Sequence, residues 1–253
     1  GSVVWCKWTN HEILVLLIKR ILTYFGDSVD ENTLMKTPQL HLRFHLERVM
    51  ESTFSGRGKW ENVYMYKILM SLIRKRPRDL VKLCSLAAQQ AQQTNSPLIK
   101  TEHFQAIFEE YSQGRIQDTI NEYKSELPNI ENLLFGMRPT KKQRNASDGY
   151  IYTTAELIQK LNNIRQHTNF IFKNGRKASA NELAQFLYKI NFLTARKIVE
   201  SGEIQRKYFE ENRYISSSFV DFGYDWEVHP AFRWVLQPEN INEIFNKLAL
   251  SHD

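Results

Sequence analysis

Apolar residues recur along this chain at three- and four-residue intervals more often than they alternate. From Ile13 to Phe25 they fall on nearly every side of a helical projection, which predicts a largely buried helix. Thr9-Asn10-His11-Glu12 precedes it as a capping box, in which a hydroxyl and a carboxylate satisfy first-turn amides that have no partner inside the helix. Gly26-Asp27 ends it, and residues 27–40 read as an ordered loop. A helix is expected from Leu40 to Phe54, a break at Ser55-Gly56-Arg57-Gly58, and a further helix from Glu61 to Ile73. Pro77 suits the first position of the next helix, where its missing N–H costs nothing. That helix carries Leu80, Leu83, Leu86, Ala87 and Ala91 on one face as far as Gln93. Thr101 caps a helix running through Tyr111 towards Glu126, and Pro128 starts a short one ending at Gly136.

Periodicity is lost over residues 137–149, MRPTKKQRNASDG, which are polar and basic and predict a flexible linker between domains. Capping boxes at Thr153–Glu156 and Ser179–Glu182 then open helices to about His167 and Phe192. From Leu193 the pattern turns strand-like at Thr194–Val199, Lys207–Phe209, Tyr214–Ser216, Phe219–Phe222 and Trp226–Val228, before His229–Phe232 restarts a helix. Val3-Val4-Trp5 reads as the tail of another strand. Helices followed by a small sheet outline a winged helix, a relative of the helix-turn-helix. The expected fold is therefore mainly α: a helical bundle over 3–136, a basic linker over 137–149 and a winged-helix domain with a small antiparallel sheet over 150–250.

Composition narrows the class. Hydrophobic residues make up 42% of the 253, enough to bury a core. Cys6 and Cys84 form no disulfide framework and have no partner at zinc-ligand spacing, which points to a reducing, cytoplasmic setting. No apolar run is long enough to span a bilayer. Gly1-Ser2, with no initiator methionine, reads as an expression scar. A net charge of +6 and a pI near 9.2 make nucleic acid or another polyanion a candidate partner.

Catalytic signatures are missing. A phosphate loop needs G-x-x-x-x-G-K-[ST], and Ser55-Gly56-Arg57-Gly58-Lys59-Trp60 has neither that spacing nor the final hydroxyl. His41 and His45 share a helical spacing but lack a third ligand, so no metal is expected. His229 stands beside no nucleophile motif and reads as a packed or capping histidine, while Glu109-Glu110 and Glu210-Glu211 read as solvated faces. Trp226, Phe232 and Trp234 read as core. The chain alone is expected to be no enzyme and to hold no cofactor.

Two features do carry chemistry. Arg74-Lys75-Arg76-Pro77-Arg78-Asp79 crowds four cations at a helix start, where the macrodipole already favours anions. Either an arginine there meets a phosphate supplied from elsewhere, or the turn is solvated with Asp79 pairing Arg76 or Arg78. Arg138, Lys141, Lys142 and Arg144 form one basic strip, and Arg196, Lys197, Arg206 and Lys207 a second at the expected wing. Both are candidates for phosphate contacts of nucleic acid. The helix from Glu182 offers only Gln185, Lys189 and Asn191 for base reading.

The strings RKRPRDLVKLCSLAAQQAQ, IKTEHFQAIFEEYS and RIQDTINEY resemble the helical lid that follows a P-loop ATPase core. Origin-recognition-type AAA+ initiators and bacterial P-loop ATPases found beside phage-defence genes share this arrangement. LYKINFL, a strand-rich stretch and VHPAFRWVL are similar to the winged-helix tail of those bacterial ATPases, so the likeness spans residues 3–240. The resemblance implies a nucleotide-sensing role for Arg78, with Arg76 as substitute, towards ATP and Mg bound by an upstream ATPase core. It also implies a winged helix that binds nucleic acid or a partner protein, in antiviral defence. Walker A and Walker B elements are absent from the chain, and the sensor role requires them upstream. Two rivals are a stand-alone winged-helix DNA-binding regulator and a protein-interaction scaffold.

Overall fold

The computed structural model describes residues 7–146, 148–211, 223–237 and 242–250. Among them the chain is mainly α with two small antiparallel sheets, and it divides into two compact units between Tyr111 and Ser112. The strands expected at Val3–Trp5, Tyr214–Ser216 and Phe219–Phe222 lie outside the described residues.

In the first unit, α1 (Asn10–Tyr24) starts with the full capping box: Glu12 N–H donates to Thr9 Oγ1 at 3.1 Å and Thr9 N–H to Glu12 Oε1 at 3.2 Å. It buries Ile13, Leu14, Val15, Ile18, Ile21 and Leu22. The segment expected to be loop contains a short helix, α2 (Glu31–Lys36), capped by the Asp30 carboxylate. α3 (Gln39–Leu46) stops at Leu46 rather than Phe54, because Thr53 and Phe54 enter a hairpin instead. Its strands β1 (Thr53–Ser55) and β2 (Glu61–Tyr64) drive Phe54 and Trp60 into an aromatic cluster with Phe108, ring centroids 5.5–6.2 Å apart. That burial outweighs the helical propensity of the preceding residues. Gly56 is required in the connection, since a Cβ there would stand 2.4 Å from the Phe54 ring. α4 (Met65–Leu72) and α5 (Pro77–Gln93) follow, and Glu51 accepts the Thr101 N–H at 2.8 Å at the head of α6 (Thr101–Tyr123).

The second unit begins inside α6. Ile116 and Ile120 join Leu127, and the core continues through α7 (Ile130–Gly136) with Leu133, Leu134 and Met137. The same cluster includes Leu157, Leu161, Leu183, Leu187, Trp226 and Phe232. Residues 112–136 therefore belong with the sheet-bearing unit, and the division falls earlier than the boundary expected at 137–149. That basic stretch holds α8 (Lys141–Ala146), and the Lys160 ammonium donates to the Arg138 carbonyl at 2.7 Å.

β3 (Ile151–Tyr152), α9 (Thr154–His167), α10 (Ala180–Lys189), β4 (Leu193–Ile198), β5 (Ile204–Lys207) and β6 (Asp225–Val228) come next. Both capping boxes close, at Thr153 and Ser179. α10 ends at Lys189, short of Phe192, because Asn191 takes a left-handed conformation at φ 61°. The sheet is antiparallel in the order β3-β6-β4-β5, with Trp226 of β6 paired to both Tyr152 and Ala195. A 3-10 turn (Pro230–Phe232), α11 (Arg233–Leu236) and α12 (Asn242–Lys247) complete the described chain.

A charged cluster sits in this core. Buried Glu227 takes Arg206 at 2.9 Å, Arg233 at 3.1 Å and Arg196 at 3.0 Å, and Arg233 reaches Asp148 at 2.6 Å. The Arg233 guanidinium also lies 4.1 Å from the Tyr150 ring centre.

Candidate nucleotide-sensing arginines and nucleic-acid interface

At the head of α5, Asp79 turns its carboxylate inward onto Arg74: Nε to Oδ2 is 2.9 Å and Nη2 to Oδ1 is 3.0 Å, both side chains buried. Arg74 N–H adds a third bond to Oδ2 at 3.1 Å. A two-pronged, desolvated pair of this kind fixes the turn that enters the helix. Arg78, in the first helical turn, is exposed, and Arg76 is half-buried at the N-cap, where its side chain makes no capping bond. The turn thus holds one arginine inside and carries another at its surface.

In the second unit, Arg138, Lys141 and Lys142 are exposed, with the Arg138 guanidinium 5.1 Å from the Phe135 ring centre, and Arg144 is half-buried. The second strip needs correction. Arg206 is 3% exposed and bound to Glu227 and to the Ala249 carbonyl at 2.5 Å, so it does not present its charge to solvent. Arg196 is drawn onto the same carboxylate, its side chain 12% exposed. What remains at the sheet surface is exposed Lys197, 5.7 Å from the Tyr224 ring centre, and half-buried Lys207.

A groove of about 900 Å³ opens instead along α10. Glu182, Gln185 and Lys189, spaced along the solvent side of that helix, line it with buried Phe186. The preceding turn adds Phe172, Lys173, Asn174 and Arg176, and Phe209 and Glu126 complete it. Phe172 packs edge-on against Phe186 at 5.7 Å. Arg176 pairs with Glu182, and Lys189 with Glu126 at 3.8 Å, while Lys173 is exposed. Gly175 makes the turn with φ 81°, closing a one-bridge hairpin between Ile171 and Lys177. Gln185 and Lys189 stand where the sequence placed them, but Asn191 is buried and donates to Glu210 at 3.4 Å. Sequence reasoning overlooked Phe172, Lys173, Arg176 and Phe209, although Asn174-Gly175 between Phe172 and Lys177 is a hairpin signal.

His229 is buried and accepts the Ala231 N–H at Nδ1 (3.0 Å), with Nε2 2.7 Å from the Tyr208 hydroxyl. It caps the 3-10 turn. Trp226, Phe232 and Trp234 are core. Among the described residues no three His, Cys, Asp or Glu side chains gather as a metal site, and no helix is long and apolar enough to cross a membrane.

Residues 39–120, from the first residue of α3 into α6, match the family described as the FunZ-associated C-terminal helical domain. They cover roughly a third of the chain and include the Arg74–Asp79 turn. The description is of a C-terminal part of a larger protein. No curated protein and no solved structure matches the chain.

Proposed function

We propose that this chain is a non-catalytic C-terminal portion of a P-loop ATPase whose second unit is a winged helix that binds nucleic acid along α10. The observation that carries this reading is the α10 groove, where Lys173, Arg176 and Lys189 stand beside Phe172, Phe186 and Phe209, contributed by α10, the turn before it and the segment after β5. Bases stack on aromatic side chains while mobile cations meet phosphates. The topology supports the winged helix: α7, β3, α9, α10, β4 and β6 run in its order, β6 lies between β3 and β4, and β5 belongs to the wing excursion. The match to a C-terminal helical domain supports an upstream partner domain in the same polypeptide. Arg78, exposed on a turn clamped by Arg74 and Asp79, is the group that senses nucleotide held by that domain, and Arg76 is its substitute. Nucleotide state would reorient the winged helix, coupling ATP to nucleic-acid binding, in antiviral defence.

The test is anisotropy with labelled single-stranded and duplex DNA at about 50 and 200 mM salt. Neutralising Lys173, Arg176 and Lys189 together should weaken single-strand binding and flatten its salt slope by about 2, at roughly 0.7 per lost contact. Unchanged binding would remove the groove from the interface, whereas loss only on neutralising Arg138, Lys141, Lys142 and Arg144 would move it to the 137–149 segment. For the sensor, Arg78→Ala in the intact ATPase should cut ATP turnover; unchanged turnover would end that assignment.

One observation favours a protein contact in the first unit. Among the described residues, exposed large apolar side chains gather in α1–α3 and their connections: Tyr24, Phe25, Val29, Met35, Leu40 and Phe44. A domain of the same polypeptide is the occupant this reading assigns to them. Phe44→Ser should then loosen the intact protein in limited proteolysis while leaving this chain's own unfolding unchanged.

A further inference from the structure

A second cavity, about 740 Å³, lies in the second unit between α7, α9 and the segment around α8. Its lining carries a buried cation whose partners are all neutral. Lys160 Nζ donates to the Arg138 carbonyl at 2.7 Å and to Gln143 Oε1 at 3.2 Å, and among the described residues no carboxylate stands within ion-pair distance. An ammonium has three donors, so one remains beyond these two bonds. Burial without a counterion costs several kcal/mol, and it pulls the Lys160 ammonium below the usual lysine range. Tyr152, 2% exposed, is a residue of the same lining, and among the described residues its hydroxyl has no hydrogen-bond partner. Burial pushes that phenol upward, so it stays protonated and able to donate. An orphaned buried donor of this type costs about 1–3 kcal/mol.

Both defects ask for one thing: an acceptor carrying negative charge. Lys142, exposed at the rim, adds a second cation, and the Thr140 and Asn163 side chains add neutral hydrogen-bonding groups. The acid in the lining, Glu156, already accepts the Thr153 N–H at 2.9 Å as the capping box of α9. Gly149 holds the rim closed: a Cβ there would fall 2.7 Å from Pro139 Cβ. The volume suits a ligand of nucleotide size rather than a lone ion.

We propose that this cavity binds a phosphate monoester, with Lys160 and Tyr152 as its buried donors and Lys142 at its mouth. The site is independent of the α10 groove, since the two linings share no residue. Two sources offer the same group, a free phosphorylated metabolite and the 5′ end of a nucleic-acid strand. Calorimetric titration of the full chain with inorganic phosphate and with adenosine monophosphate, and then with 5′-phosphorylated and 5′-hydroxyl oligonucleotides, separates them. Binding of phosphate or the mononucleotide, lost at least tenfold in Lys160→Met and several-fold in Tyr152→Phe, supports a metabolite site. A preference for the 5′-phosphorylated strand with the same sensitivity supports a strand-end site. Lys160→Met removes an uncompensated buried charge, so its unfolding midpoint in phosphate-free buffer should not fall. Tyr152→Phe leaves the Lys160 bonds in place and serves as the second variant. No binding by any of the four probes, or binding that both variants retain at full strength, overturns the proposal. Weakened binding to the 5′-hydroxyl strand after neutralising the α10 groove, with phosphate binding intact, bears on the groove alone.

Discussion

Glu227→Gln should destabilise the second unit more than any single change at its surface. The wild-type carboxylate meets three guanidinium groups: Arg206 at 2.9 and 3.3 Å, Arg233 at 3.1 Å and Arg196 at 3.0 Å. Glutamine keeps the volume, cancels the negative charge and replaces one acceptor oxygen with a donor that faces other donors. Asp148, bound to Arg233, is left as the remaining acid among the contacts named for the three cations. Removing one partner of a buried ion pair costs about 3–5 kcal/mol, because the survivor keeps its desolvation penalty without its attraction. At roughly 2–4 °C per kcal/mol for a domain of this size, the midpoint of thermal unfolding should drop by about 10 °C. Arg206→Met should cost less, since Glu227 retains Arg233 and Arg196, and Lys207→Ala, on the neighbouring half-buried position, should cost under about 0.5 kcal/mol. Circular dichroism melts of the three variants give the ranking directly. A Glu227→Gln loss below about 1 kcal/mol, or an Arg206→Met loss equal to that of Lys207→Ala, would refute the view that this cluster is a desolvated hub.

Three further outcomes are expected. Gly56→Ala should lower stability by about 1–3 kcal/mol in urea denaturation, because the new methyl must displace the buried Phe54 ring from Trp60; a neutral change would mean the hairpin yields freely. Ser179→Ala should cost about 1 kcal/mol by opening the capping box of α10, read from the same denaturation curve, and wild-type stability would argue that the cap is redundant. Cys84 keeps some exposed surface, but burial pushes its thiol up to about 12. In a Cys6→Ser background, its reaction with an aromatic disulfide at pH 8 should run about a thousandfold slower in the folded chain than in urea, since only the thiolate attacks; similar rates would show the thiol to be solvated.

The local signals in this sequence were the legible ones. Thr9, Thr153 and Ser179 announce helix starts through bonds made within four residues, and Pro77 marks the first position of α5, so these boundaries could be read directly. Features set by distant partners could not. The β1–β2 hairpin depends on Phe108, more than forty residues away in sequence from Phe54 and Trp60, and the helical spacing of Leu42 and Leu46 gives no warning of it. The boundary between units falls within α6 beside Gly114, which does not interrupt the helix, because Phe108 and Ile116 serve different cores from one continuous helix. Arg206 is instructive in another way. Its charge suggested a surface contact, yet strand alternation puts it on the same face as buried Ile204, with Gln205 and Lys207 on the other. Period outranked residue type there. The α10 groove was half visible, through Gln185 and Lys189, and its aromatic half came from a turn and from Phe209, which no helix-face argument would collect.

The position of β6 between β3 and β4 has a kinetic corollary. Among the described residues, a nascent polypeptide that has not yet reached Asp225 offers β3 no neighbour and leaves one margin of β4 open, with the tryptophan that bridges them still unmade. Assembly of this sheet must therefore wait until β6 has been synthesised, and termination upstream of that strand should yield a species that self-associates through bare strand edges.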